Sequence, residues 1–306
     1  MNIASANARA AKPFSADQRA LSSVERIVEF YEDAGADYEH WSRGLNMHLG
    51  FYRWGLNPFD REAMLEQLNL EIADRLCLRH DTEAFLIDLG CGMGAVARSI
   101  ATNHPGTMIK GVTLVPSQVK IASEQNKNFG LESRIEVLKA NYVTLPFETG
   151  KADGVWAAES ACYAKGADKA DLVKEMARVL RSGGRFAVAD CFVAQPEKEF
   201  GILMNKCYSA VCKNWAVVEM ASLGPFISAL NKNGFRDIVV EDISWRAVPS
   251  MLHAPFAVLT FLLKKLFAGE ALNQQSINNL KASLLAMILG LNRSKIRYCL
   301  ISGTRC

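Results

Sequence analysis

The chain has 306 residues, half of them hydrophobic and 22% charged, with a formal net charge of +3. Such a length buries a core in one large domain, or in a domain with a substantial lid, and the composition excludes a disordered chain. The small net charge and the lack of a basic stripe interleaved with aromatics argue against nucleic acid as a partner. The eight cysteines form no CxxC pair and no Cys/His cluster, which argues against a disulfide framework or a structural zinc site, and reduced thiols in a cytoplasmic protein are the plain expectation.

In chain order, residues 1–20 are polar and rich in small side chains, with no apolar core; they read as a flexible tail and not as a secretory signal. Residues 21–80 read as a mostly helical N-terminal cap. From Phe85 short apolar runs alternate with helical patterns, the mark of a parallel sheet covered by helices. Strands are predicted at Phe85–Asp88, Met108–Thr113, Ile135–Lys139, Gly154–Ala158, Arg185–Cys191, Asp237–Ile243 and Ile296–Gly303. Helices are predicted near Val96–Asn103, Pro116–Phe129, Ala167–Leu180 and Leu223–Asn233, the third closed by a glycine cap in Ser182-Gly183-Gly184. Residues 81–245 are thus a core domain, 246–295 an insertion with two apolar helices, and 296–306 a final strand of the core sheet. The run from Pro255 to Phe267 carries Lys264 and Lys265 and is too short to span a bilayer. A lid over an apolar pocket, a dimer interface and a peripheral membrane contact all suit it.

The first strand runs into Asp88-Leu89-Gly90-Cys91-Gly92-Met93-Gly94. At the carboxyl end of a parallel strand, glycines permit positive φ and let a ligand approach the backbone, although a tight turn alone has the same look. A dinucleotide site needs GxGxxG and an acid at the end of the second strand. Here the spacing is GxGxG and the second strand ends in Gly111-Val112-Thr113, which argues against NAD. The P-loop Lys-Ser/Thr ending is also missing.

Further signals follow at regular intervals: Asn141 after the third strand, LPFETGKADGVWAAES around the fourth, and VKEMARVLRSGGRFAVAD into the fifth. With the glycine turn, this run from Phe85 to Cys191 resembles the core of a class I S-adenosylmethionine-dependent methyltransferase. The resemblance implies an α/β, Rossmann-like seven-stranded sheet with the last strand antiparallel. It also implies that Asp88, Gly90, Cys91 and Gly92 hold the methionine end of S-adenosyl-L-methionine. Thr113 and Asn141 stand where many members have acids for the ribose and adenine. GVTLVPSQVKIA is similar to the GxTLSxxQ variant of sterol, tocopherol and cyclopropane-forming methyltransferases, which makes Thr113, Leu114 and Gln118 the adenosyl side, with Asn141 and Tyr142 beside them.

The flanks narrow the resemblance. FYEDAGADYEHW and NMHLGFYRWGLNPFD are similar to the opening segment of sterol, tocopherol and prenyl diphosphate C-methyltransferases, where aromatic residues cover the cofactor; Tyr31 and Tyr38 take that place here. WAAESACYAKGADK resembles their ES-x-x-H/Y element, and its tyrosine form, ending in Tyr163, looks more like the enzymes that methylate an allylic diphosphate.

Methylation of an alkene carbon leaves a carbocation, which aromatic faces and a carboxylate stabilise. Glu159 is the expected carboxylate, close to the cofactor's methyl group, with Tyr163 and Tyr31 as further catalytic candidates. Trp41, Phe51, Tyr52 and Trp54 offer aromatic walls, and His48 could touch the acceptor or a diphosphate-bound metal. The bland alternatives are a helix-capping Glu159, ordinary packing of the aromatic cluster and a hydrogen-bonded packing histidine. The expectation is therefore C-methylation of an isoprenoid, foremost a prenyl diphosphate such as geranyl or farnesyl diphosphate, with Mg2+ if a diphosphate is bound. Sterol or tocopherol-like acceptors, O- or N-methylation of a small metabolite and a non-catalytic binding module are the alternatives. Metal ligands and oligomeric state, including a homo-oligomer, are left open.

Overall fold

A computed structural model describes residues 22–79, 83–196, 199–267 and 274–306, with the backbone alone described for 34–40, 266 and 275. The expected tail over 1–20 lies outside the described residues. Five strands pair in parallel: β1 (Ala84–Leu89), β2 (Thr107–Thr113), β3 (Ile135–Lys139), β4 (Ala152–Ala158) and β5 (Leu180–Val193). A two-residue β6 (Ala221–Ser222) touches the end of β5, followed by β7 (Phe235–Asp242) and β8 (Ile296–Arg305). The order is β3-β2-β1-β4-β5-β8-β7, and β8 runs antiparallel to both of its neighbours. The sheet is the expected one, with the short β6 as an eighth strand.

Strands buried on both faces read as continuous apolar runs, which is why these segments stand out in the sequence. Alternate residues point to opposite sides. Ile87, Val155, Phe186 and Val188 pack on one side with Leu172 and Met176 of α5 (Ala170–Val179) and Phe226 of α7 (Leu223–Lys232). Leu86, Trp156 and Ala187 pack on the other, with Leu68 and Ile72 of α2 (Arg61–Arg75) and Ala97 and Ile100 of α3 (Ala95–Asn103). Helix α4 (Pro116–Asn128) follows β2 and opens with its proline in the first turn. The Asp60 carboxylate caps α2, accepting from the Ala63 N–H at 3.1 Å. Helix α1 (Ser23–Trp41) lies against α4 and against the helices inserted before β8.

Three expectations are corrected. Helix α5 stops at Val179 because Leu180 is extended and already pairs with Ala152 of β4, so the Ser182–Gly184 turn lies inside β5; Gly183 (φ 77) bends a strand and caps no helix. The segment between β5 and β6 forms α6 (Ile202–Asn214), and the insertion holds three helices where two were expected: α8 (Ser244–Met251), α9 (Ala254–Phe267) and α10 (Gln274–Leu291). Because α8 and α9 follow one another almost without a break, Ser244–Lys265 is a 22-residue apolar stretch that by length and composition alone could cross a membrane, while α9 itself, like the run from Pro255 to Phe267, is too short to do so.

Candidate active site

The glycine turn is tied down from both sides. The N–H groups of Gly90 and Cys91 both donate to Val112 O at 2.9 Å, so the turn is stapled to the end of β2. Gly90 has φ +84, and a Cβ there would lie 2.5 Å from the Ser160 Cβ. Ser160 donates to Leu89 O, and the Tyr142 hydroxyl donates to Ser160 O at 2.9 Å. Beside the turn, the Thr113 hydroxyl donates to Gln118 Oε1 at 2.6 Å, with Leu114 half-buried between the two. Asn141 uses its Oδ1 to accept from the Val143 N–H at 3.1 Å, closing its own turn.

Asp88 ends β1 fully buried, and its Oδ2 has no hydrogen-bond partner among the described residues. Burial pushes its carboxyl well above the usual carboxylate range. A buried polar atom without a partner asks for a ligand group, and this one faces a turn whose glycines let a ligand approach the backbone. The residues present therefore fit the methionine end of S-adenosylmethionine. Met47 arches over the same turn: its Sδ lies 2.8 Å from where a Gly92 Cβ would stand and 3.9 Å from Gln118 Nε2.

Glu159 follows β4, its N–H donating to Ala189 O at 2.8 Å. Its φ of 49 is the left-handed conformation, which a glutamate adopts only when its surroundings impose it. Oε1 accepts twice, from the Leu49 N–H at 2.6 Å and the Tyr298 hydroxyl at 2.8 Å. Among the described residues, Oε2 accepts no hydrogen bond. Burial pushes the carboxyl up to about 7, the two donors pull it down, and the nearby Asp190 charge pushes it up.

Glu159 forms part of the wall of a mostly apolar cavity of about 250 Å³ roofed by α8, α9 and α10. Tyr31, Trp41, His48 and Tyr163 line it too, so of the residues expected around the acceptor the structure brings these four together with Glu159. The hydroxyls of Tyr31 and Tyr163 are 2.7 Å apart and their rings meet edge to face at 5.8 Å. His48 is held on both sides, its Nδ1 2.8 Å from Leu49 O and its Nε2 2.9 Å from Asn69 Oδ1. It braces the peptide that donates to Glu159. The side chain of Tyr38 lies outside the described residues.

Phe51, Tyr52 and Trp54 are not cavity walls, which corrects the sequence reading. The Phe51 N–H donates to Met64 O and the Tyr52 N–H to Arg246 O, so this strand-like segment is gripped between α2 and α8. Phe51 is thereby turned into the core beside Leu68 and Ile72, and Trp54, on the turn that follows, is 84% exposed.

Two residues at the cavity escaped the sequence reading. Asp190, near the end of β5, accepts from the N–H groups of Cys191 at 2.7 Å and Cys162 at 3.0 Å, and burial pushes its carboxyl up to about 6. An acid closing the apolar run of the fifth strand was a usable signal. Tyr298 stands 139 positions from Glu159 in the chain, and nothing local marks it. Because the Tyr298 hydroxyl favours the ionised form of Glu159, Tyr298→Phe is expected to move the ascending limb of kcat/KM to higher pH by about one pH unit. A limb that stays in place would show that Tyr298 does not set the Glu159 charge.

The parallel sheet with its antiparallel β8, the glycine turn and the buried Asp88 carboxyl, whose Oδ2 has no partner among the described residues, support a class I S-adenosylmethionine-dependent methyltransferase. Residues 87–188 match the family described as methyltransferase domain. Among curated relatives, the chain is 28% identical over 260 residues to 27-O-demethylrifamycin SV methyltransferase of Amycolatopsis mediterranei (strain S699), covering 84% of this chain and 87% of that one. It is 29% identical over 178 residues to 24-methylenesterol C-methyltransferase 2 of Oryza sativa subsp. japonica, covering 58% of this chain but only 47% of the rice enzyme. The fold is shared with geranyl diphosphate C-methyltransferase from Streptomyces coelicolor A3(2), solved with Mg2+, geranyl diphosphate and S-adenosyl-L-homocysteine, at a TM-score of 0.69 and 16% identity over 94% of this chain and 99% of that one.

Proposed function

We propose that the enzyme methylates an alkene carbon of a lipophilic isoprenoid that carries no diphosphate, a sterol-like or prenyl-alcohol-like acceptor. The observation that carries this reading is the charge pattern of the cavity. Its wall holds the carboxyls of Glu159 and Asp190 and, among the described residues, no lysine or arginine. A buried diphosphate needs cations or a metal to offset its charge. The tyrosine form of the 159–163 element is thus outweighed by the lining.

When bound, S-adenosylmethionine supplies an electrophilic methyl group on a sulfonium. The apolar wall holds the acceptor's double bond in line with that methyl and keeps water from the cation that follows. As the alkene's electron pair forms the new carbon–carbon bond, positive charge develops on the neighbouring carbon. The free Oε2 of Glu159 faces that charge, and the Tyr31 and Tyr163 rings add their π faces. Glu159 then takes the proton from the adjacent carbon, whose C–H electrons restore a double bond.

The test is incubation with methyl-labelled S-adenosylmethionine and a panel of sterols, prenyl alcohols and their diphosphates, with and without EDTA, the products read by mass. Label in a carbon–carbon bond of an uncharged isoprenoid, unaffected by EDTA, is the expected result. A labelled diphosphate would overturn the uncharged acceptor, and label released by hydrolysis from oxygen or nitrogen would overturn C-methylation.

A further inference from the structure

Helix α10 turns one stripe toward the cavity. Asn279, Ser283, Ala286 and Gly290, spaced three and four residues apart, all line it. The helix runs into β8 through the short turn 292–295, where the Ile296 N–H donates to Asn292 O at 3.0 Å, so its Gly290 end is the one close to Tyr298 and Glu159. Asn279 lies about three turns back, on the order of 15 Å along the axis. Its amide is unspent. The Oδ1 atom is buried without a hydrogen-bond partner, and among the described residues Nδ2 donates to none. The other carboxyl, hydroxyl and imidazole groups on the cavity wall hydrogen-bond within the protein, apart from Oε2 of Glu159. Asparagine is a poor helix former, and a buried amide without a partner costs stability. Nothing in the described fold uses this amide, so its use lies with what the cavity holds.

We propose that Asn279 is the specificity-determining residue for the polar end of the acceptor, and that the group it takes is an uncharged hydroxyl. This deepens the reading above and rests on it for the apolar body of the acceptor. An amide offers an acceptor oxygen and two donor hydrogens, and its last torsion is broad enough to turn either toward the cavity. A hydroxyl answers both, since it can donate to Oδ1 or accept from Nδ2. Ether and ketone oxygens only accept, which leaves Oδ1 unpaired, and a diphosphate brings charge for which the cavity wall has no lysine or arginine among the described residues. The hydroxyl thus sits toward one end of the cavity and the reacting double bond toward the other, beside Glu159. The alkene that reacts is one remote from the hydroxyl.

The experiment compares two matched pairs on the full chain loaded with S-adenosylhomocysteine: farnesol with its methyl ether, and saturated 1-dodecanol with its methyl ether. Binding is read by tryptophan fluorescence, since Trp41 and Trp215 line the cavity. The wild type is expected to prefer each alcohol over its ether by about tenfold or more, and Asn279→Leu to erase that preference while binding the ethers no more weakly. With a labelled methyl donor, the same variant should raise KM for farnesol by about tenfold or more and leave kcat within about twofold, the split expected of a group that binds without reacting. Its ligand-free Tm should hold or rise, because a buried unpaired amide is gone. If the leucine variant does not fold, as judged by circular dichroism and cofactor binding, Asn279→Ala carries the same comparison. An alcohol preference that survives loss of the amide, or no preference in the wild type, would overturn the hydroxyl site. The saturated pair separates this site from the reading it rests on. A dodecanol preference lost with the amide while no alkene is methylated would leave the site standing and overturn the isoprenoid chemistry; methylated farnesol whose affinity ignores Asn279 would do the reverse.

Discussion

Glu159→Gln is expected to bind S-adenosylmethionine as the wild type does while turnover falls by about 10²- to 10³-fold, the range for losing one preorganised electrostatic stabiliser. The glutamine carbonyl can still accept from the Leu49 N–H and the Tyr298 hydroxyl, so the backbone of the site keeps its anchors. What changes is the atom that faces the cavity, where a carboxylate oxygen becomes an N–H donor that repels a cation. Calorimetric binding of the cofactor with single-turnover kinetics checks both halves, and near-normal turnover would remove Glu159 from the chemistry. Stability provides a second readout. Glu159 has its folded pKa raised to about 7, so its neutral form is the one the fold prefers. As pH rises from the ordinary carboxylate range through about 7, ionisation destabilises the wild type relative to the unfolded chain. The glutamine variant escapes that loss, and its Tm relative to wild type should rise across this window and level off above it.

Gly90→Ala is expected to be the most damaging small substitution in the cofactor cleft. A Cβ would meet the Ser160 Cβ at 2.5 Å, and φ is +84, so steric overlap and a left-handed backbone act together. Their combined effect is about 2–5 kcal/mol of stability, with loss of cofactor binding as the turn moves away from Val112. Gly130→Ala is the internal comparison. Its φ of +66 is similar, but nothing lies within 4 Å of the added carbon, so only the backbone term of about 1–2 kcal/mol is expected. Thermal unfolding and cofactor titration of the two variants side by side would show whether the Ser160 contact, and not glycine flexibility alone, shapes the turn. Equal losses would refute that.

The core from Ala84 to Val193 was legible because its strands are buried on both faces and announce themselves as apolar runs, and because the glycine turn and Glu159 lie at strand ends where sequence order fixes position. Helix α6 was not, since its surface carries exposed Ile202 and Leu203 among polar residues and its inner face is completed only by Leu289 and Ile296 from far along the chain. Trp54 misled for a related reason. Aromatic content is visible in sequence, but the face it takes was decided by hydrogen bonds to Met64 and Arg246. Tyr298 illustrates the general limit: a side chain recruited across 139 positions to one carboxylate oxygen leaves no periodic trace.

The place of β8 in the sheet has a consequence for how the protein is made. It follows the other described strands in the chain, yet it lies between β5 and β7 and runs against both. Until it arrives, β5 and β7 each hold a bare edge able to pair with the wrong partner, and the pairing of β8 with β5 spans more than a hundred residues. The newly made chain therefore waits with its sheet in two parts, in need of protection from aggregation. Because Tyr298 rides on β8, the carboxylate of Glu159 gains its second donor only at that closing step, so chemical competence and completion of the fold come together.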